Sequence, residues 1–267
     1  MASRAKSTIS PSPREPQAGH GGESASLTLP LLMLAARPAL ALTAQSALAL
    51  VLQAAGRPAP FRAAAGWWMV YGSAVDVGCL TMIAAAARRE GLPMREAVGL
   101  GARPARRRRA VLLDVAALMP ATVLSQLLDR SLNPGRAEPY PPQIRASRLG
   151  GFARAYSVSG WPALWALGEE ATYLGYVLPR LERRLGLPTA AVLTALAWAA
   201  QHAAIPALPG RRDGFSRVIA MLPVSAAFVF VYVLRGRRLV PLIAAHWTSD
   251  ASAAVLAAVV AGRSGKR

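Results

Sequence analysis

Cysteine is almost absent from this chain, acidic residues are few, and histidine is rarer still. Among 267 residues there is one cysteine, Cys79, against 13 aspartates and glutamates and 3 histidines. A lone cysteine excludes an internal disulfide and any paired-thiolate motif. Because Cys79 lies in an apolar run, it reads as a small core residue. HExxH and GxSxG are also missing, so the familiar soluble zinc and serine hydrolase patterns do not apply. No internal repeat is visible.

What the chain has in quantity is apolar sequence. It is 54% hydrophobic and 16% charged, which places it among integral membrane proteins rather than soluble domains. The net charge of +18 comes almost wholly from arginine, and the arginines sit in short segments between apolar runs. That pattern reads as topogenic charge and contact with anionic lipid, with no nucleic-acid partner. The excess of Arg over Lys and the abundance of Ala fit a high-GC bacterial genome. The expected location is therefore the bacterial cytoplasmic membrane, crossed several times.

In chain order, residues 1–26 are rich in Ser, Pro, Gly and charge and read as a disordered cytoplasmic tail, which holds His20. Residues 27–160 supply the N-terminal membrane helices and their loops. A first span covers Leu27 to Ala55 but is interrupted at Arg37-Pro38. Its membrane part is expected either to start near Ala39 or to follow a short interfacial piece. A second runs from Ala64 to Ala87, with Trp67, Trp68 and Tyr71 placed like an interfacial aromatic belt. The basic stretch Arg88 to Arg109 follows, and a third span covers Ala110 to Leu128. Asp76 and Asp114 interrupt the second and third spans, where pairing with nearby arginine is the expected role and a proton relay the alternative. Residues 129–160, with PYPPQ at 139–143, form the longest connection and can act as a loop, lid or re-entrant element.

The C-terminal part, 161–261, holds spans at Trp161–Arg180, Leu187–Leu208, Val218–Leu234 and Leu239–Ala261, before a basic tail at 262–267. The fold class is thus all-α, a membrane helical bundle of about seven transmembrane helices. The positive-inside rule puts the loop after span two, Arg180 to Arg184 and Arg235 to Arg238 on the cytoplasmic side with the N-terminal tail.

Ionisable groups at membrane depth are costly, about 2.5–3.5 kcal/mol even on lenient scales, and they normally face a polar cavity. The fourth span carries two in succession, Glu169 and Glu170. The fifth carries His202 in WAAQH, and the seventh carries His246 in HWTSD, with Asp250 one turn later on the same face. Consecutive helical residues differ by about 100° in direction, so Glu169 and Glu170 have different roles. Crowding two buried carboxyls keeps a proton available near neutral pH, which suits a base that later acts as an acid. A glutamate and a histidine can hold and activate a water while a second histidine with Asp250 holds an oxyanion, which is peptide hydrolysis. The set Glu169, His202, His246 and Asp250 is equally a ligand set for a divalent metal such as zinc. Sequence does not choose between the two.

Three motifs in order, Glu169-Glu170 with Leu174 four residues on, Trp198-Ala-Ala-Gln-His202, and His246-Trp-Thr-Ser-Asp250, resemble those of the CAAX protease and bacteriocin-processing (CPBP) family. These are intramembrane endopeptidases related to the CAAX prenyl endopeptidase, with the pattern EExxxR, aromatic-xxxH and HxxxN or HxxxD. The resemblance covers 161–261. It implies Glu169 as catalytic base, His202 as a group orienting its water, His246 with Asp250 at the oxyanion, and Glu170 as supporting carboxylate. Its implied partners are membrane lipids and a peptide or membrane-protein substrate. Two positions depart from the pattern: Trp198 stands where Phe is usual, and Leu174 replaces the motif arginine. The second leaves Glu170 either protonated or paired elsewhere, with Arg180 as a more distant surrogate. It opens an alternative in which the chain binds peptides or partner helices as a scaffold or immunity-type protein without cutting them. A proton-coupled transporter is a third reading, disfavoured by the absence of a repeat.

Overall fold

The computed structural model describes residues 27–100, 107–134, 151–208 and 211–264. His20, the expected disordered tail and the PYPPQ stretch lie outside these. Among the described residues there are helices and turns and no strand. A bilayer imposes this outcome on apolar segments of such length, since each helix satisfies its own backbone polar groups.

The helices are α1 (Thr28–Ala54), α2 (Pro60–Ala65), α3 (Trp68–Arg89), α4 (Met94–Ala97), α5 (Arg107–Leu132), α6 (Gly151–Ser159) and α7 (Trp161–Glu170). A π-helical segment, Ala171–Val177, then leads into α8 (Leu178–Gln201), followed by α9 (Arg211–Leu234) and α10 (Leu239–Ser264). Five helices are long and apolar enough to cross a membrane: Thr28–Ala54, Trp68–Arg89, Arg109–Leu132, Gly214–Leu234 and Leu239–Val259. The fourth and fifth expected spans are built differently. α7, the π segment and the start of α8 run on as one column, which breaks at Gly186, where φ is 75°. That backbone conformation favours glycine, and Pro188 restarts the helix two residues later.

The expected interruption at Arg37-Pro38 is absent, because α1 continues through it with Pro38 inside the helix. Arg37 is 0% exposed and finds its partners within the bundle, so the helix has no need to end there. The aromatic belt is likewise corrected. Trp68 is buried against Trp161 and Trp165, with ring centroids 5.0 and 5.5 Å away. The Tyr71 hydroxyl donates to buried Gln45 at 2.8 Å. Gln45 in turn donates to the carbonyl of Ala207 at 2.7 Å and accepts from its N–H at 2.9 Å, pinning α1 to the turn after α8. Cys79 is a buried core residue, as expected.

The column formed by α7 and the π segment lies at the centre. Every residue from Gly168 to Leu178 is buried, packed by α1, α3, α8 and α10. At Gly175 an added Cβ would lie 2.8 Å from the carbonyl oxygen of Val98, so a side chain there is excluded. From the long connection after α5, α6 is a helix held against α3 by the Tyr156 hydroxyl, which donates to Ser73 at 2.7 Å.

The basic segments assigned to one side meet there. Arg180 pairs with Glu90 and lies over the Tyr176 ring. Arg235 donates to Asp114 at 2.8 Å, giving that carboxylate the arginine partner expected for it. Arg237 forms a fork on Glu182 at 2.6 and 2.8 Å, and this holds the Glu182 carboxyl below the usual carboxylate range. A depressed carboxyl contributes stability above its unfolded value, lost as pH falls through the folded value. Arg237→Gln is therefore expected to lower Tm at pH 7 by the equivalent of about 0.2–1 kcal/mol, the scale of half-exposed pairs. The difference should shrink as pH falls below the usual carboxylate range, as thermal melts at neutral and acid pH in detergent will read.

Candidate active site

Glu169 and Glu170 close α7 where the chain widens into the π segment. Such wide turns inside helices recur at functional sites, and the two carboxylates just before this one, about 100° apart on the helix, meet different neighbours. Both are buried, at 1% and 0% exposure.

Glu169 faces α8. Its Oε2 accepts a hydrogen bond from the Trp198 indole N–H at 2.8 Å, and its Oε1 accepts one from the Gln201 amide at 2.7 Å. Tyr173 stacks on Trp198 with centroids 5.3 Å apart, which sets the indole. Glu170 faces α10 instead and meets His246 Nδ1 at 2.8 Å. The other ring nitrogen of His246, Nε2, lies 3.3 Å from Asp250 Oδ2 and 3.9 Å from Glu169 Oε2. His246 thus stands between three carboxylates. Glu170, expected to be either protonated or paired elsewhere because Leu174 is not arginine, is paired with this imidazole. Leu174 itself is fully buried in the apolar core. Arg180, the suggested substitute, is engaged at Glu90, away from the site.

His202 lies just after α8, and its Nδ1 is 3.0 Å from the Trp198 carbonyl oxygen. A carbonyl only accepts, so Nδ1 carries the proton and Nε2 is left as an acceptor in the neutral ring. Glu169, His202, His246 and Asp250 all line one cavity of about 940 Å³, together with Trp165 and Phe228. Phe228 packs on His246 with centroids 4.9 Å apart. A cavity of this size, mostly apolar with a few converging polar groups, has the form of a ligand site. Further along it Arg217 is tied to the carbonyls of Ala203, Ile205 and Pro206, the last at 2.7 Å, and fixes the turn that follows His202.

Both Glu169 oxygens are occupied by hydrogen-bond donors. Among the described residues, no three His, Cys, Asp or Glu side chains come together as a metal-ligand group.

Three contributors were not singled out from the sequence as site residues. Arg37 of α1 donates to Gln201 Oε1 at 2.7 Å and to Asp76 Oδ1 at 2.6 Å, and its other terminal nitrogen is 3.6 Å from Glu169 Oε1. Asp76 has its expected arginine, but from a different helix. Gln201 bridges the two charges, accepting from Arg37 and donating to Glu169. The signal for Arg37 was its presence in an apolar run, and for Gln201 its place beside His202. Gly168 is the third. A Cβ there would lie 2.3 Å from Asp76 Oδ1 and 2.8 Å from Asp76 Cβ, so only glycine lets α3 and α7 approach with that carboxylate between them. Gly168→Ala is expected to cost about 1–3 kcal/mol of stability, the usual range for overpacking, read as a lower Tm, whereas Gly214→Ala, whose added Cβ would meet Ala203 at an ordinary 3.5 Å, meets no such clash.

No curated protein and no solved structure matches the chain. Residues 156–252 match the family model described as type II CAAX prenyl endopeptidase Rce1-like, and over that part, which holds all three motifs, the chain is similar to this endopeptidase family.

Proposed function

We propose that this protein is an intramembrane endopeptidase that hydrolyses peptide bonds of membrane-associated substrates with water activated by Glu169. One observation supports it above the others: Glu169, His202, His246 and Asp250 line a single mostly apolar cavity, in the part of the chain that resembles a prenyl endopeptidase.

In this reading a water sits between Glu169 and the free Nε2 of His202. Glu169 takes one of its protons as the oxygen attacks the scissile carbonyl, and His246 donates from Nε2 to the oxyanion that forms. Glu170 on Nδ1 fixes the ring, while Asp250 steers Nε2. When the tetrahedral intermediate collapses, Glu169 returns its proton to the leaving nitrogen, the C–N bond breaks, and an acid and an amine are released. Indole and amide donors on Glu169 hold it aimed. No step is routed through a metal, since the donors already occupy the carboxylate.

The test is cleavage of internally quenched peptides, with and without a C-terminal prenyl group, by the full chain in lipid nanodiscs. Glu169→Gln should reduce cleavage to background without loss of folding, and His246→Ala should lower kcat by about 100-fold or more, the scale of losing an oxyanion donor. Chelators should leave the rate unchanged. Full activity in Glu169→Gln would sink the mechanism; loss on chelation with recovery on zinc would move it to metal chemistry. A folded wild type that binds peptides without cutting them would favour the scaffold reading instead.

A further inference from the structure

Helix α5 lies outside the part of the chain that matches the endopeptidase family, yet one of its faces looks onto the candidate site. We propose that α5, together with Ser225 of α9, forms the wall that binds the substrate, and that it takes a peptide segment in extended rather than helical form. The proposal rests on the endopeptidase reading for the fate of that peptide, but not for its binding.

Val115, Leu118, Thr122, Ser125, Asp129 and Asn133 of α5 all line the cavity that holds Glu169 and His246. Their steps of three and four residues put them in one stripe along the helix. A stripe of this kind ordinarily packs into a core, whereas this one faces the cavity. Polar contacts hold α5 to α9 near both of its ends, Arg235 with Asp114 at 2.8 Å and Asn133 with Ser216 at 3.3 Å. Between them the stripe changes character, from apolar at Val115 and Leu118 to polar at Asp129 and Asn133.

Two hydroxyls make this wall a ligand surface. Ser125 and Ser225 line the cavity at 7% and 1% exposure, and neither oxygen has a hydrogen-bond partner among the described residues. Other hydroxyls on the cavity wall are satisfied within their own helices. Thr122 donates to the Leu118 carbonyl at 3.1 Å, Thr248 to that of Ala244 at 2.8 Å and Ser252 to that of Thr248 at 2.7 Å. A buried hydroxyl without a partner is costly, so two on adjoining helices call for a ligand that completes them. Each can donate and accept, and rotation about its Cα–Cβ bond re-aims it. An extended peptide drawn into a mostly apolar cavity has the matching need, because its N–H and C=O groups require partners there. A helical segment satisfies its own and would leave both serines unpaired. From Val115 to Asn133 the stripe is about 27 Å long, room for about eight extended residues.

The experiment reads binding without turnover, in the full chain carrying Glu169→Gln in nanodiscs. The probes are a fluorescein-labelled octapeptide of alternating leucine and serine, the same peptide with its backbone nitrogens methylated, and a side-chain-stapled helix of equal length. Fluorescence polarisation is measured against empty nanodiscs. The plain peptide should bind about tenfold or more tightly than the other two. Ser125→Ala and Ser225→Ala should each weaken it about three- to tenfold, the loss of one hydrogen bond, and should affect the methylated peptide less. Their Tm should be unchanged or raised, since neither hydroxyl has a partner to lose. Thr122→Trp, which fills the cavity, should abolish binding, whereas Val123→Trp, at a position 46% exposed, should not. Equal affinity for the three peptides, no binding of any, or serine variants that bind like their parent overturns the proposal. With Glu169 restored, the serine changes should raise KM for quenched peptides and leave kcat alone. Binding as described without any cleavage removes the endopeptidase reading and leaves the peptide-binding wall standing.

Discussion

A guanidinium sealed inside an apolar bundle constrains everything around it. Outside water, Arg37 needs acceptors at its edges and a polarisable surface on its face; α3, α7 and α8 supply these to all but one terminal nitrogen, which lies 3.6 Å from Glu169 Oε1. Replacing such a group by hydrocarbon often stabilises a fold, so its presence is better explained by what it aligns than by what it adds to stability. It aligns three helices that carry no hydrophobic signal for their mutual register. The two hydrogen-bond partners are 164 and 39 positions away in sequence, and Gly168 is the clearance that lets them meet.

The charges therefore divide into two populations with different physics. At the basic end, Arg180, Arg235 and Arg237 meet Glu90, Asp114 and Glu182 in pairs that each keep one partner partly open to water, where screening weakens the attraction. In the interior, Asp76, Glu169, Glu170 and Asp250 share Arg37 and His246, unscreened. The first set ties loops together and marks the topology. The second is coupled so closely that a proton gained or lost at one member is felt by the others, which is what an acid–base site requires. Trp198 and Phe228 wall this cluster on the cavity side, keeping it in a medium where small displacements carry large energies.

Much of this could be read before any coordinates. Apolar run lengths give the helices, and the positions of Glu169, His202, His246 and Asp250 single out residues that line the cavity, while Glu170 lies buried against His246 outside its lining. Two kinds of information were missing. Direction was one: an α-helical repeat carries Glu170 towards residue 174, yet the chain enters a π segment there, and the carboxylate meets His246 of α10 instead. Long-range pairing was the other. Arg37-Pro38 looks like a helix break because an arginine and a proline both disfavour a membrane interior, and only the presence of Asp76, Gln201 and Trp165 around it reverses that judgement. The same locality explains Trp68 and Tyr71, whose amphipathic rings suit an interface until a buried partner is available.

A π segment amounts to one residue more than an α-helix needs to cover the same rise. The stretch from Ala171 to Val177 can thus be regarded as a register adapter, joining a half-helix that answers to the cavity to one that answers to the basic surface. Substitutions within it alter contacts one at a time. Removal of a single residue would instead turn one half against the other by about 100°, so that Glu169 could keep Trp198 and Gln201 only if Arg180 gave up Glu90. Length therefore constrains these seven residues as firmly as the lack of room for a side chain at Gly175 does.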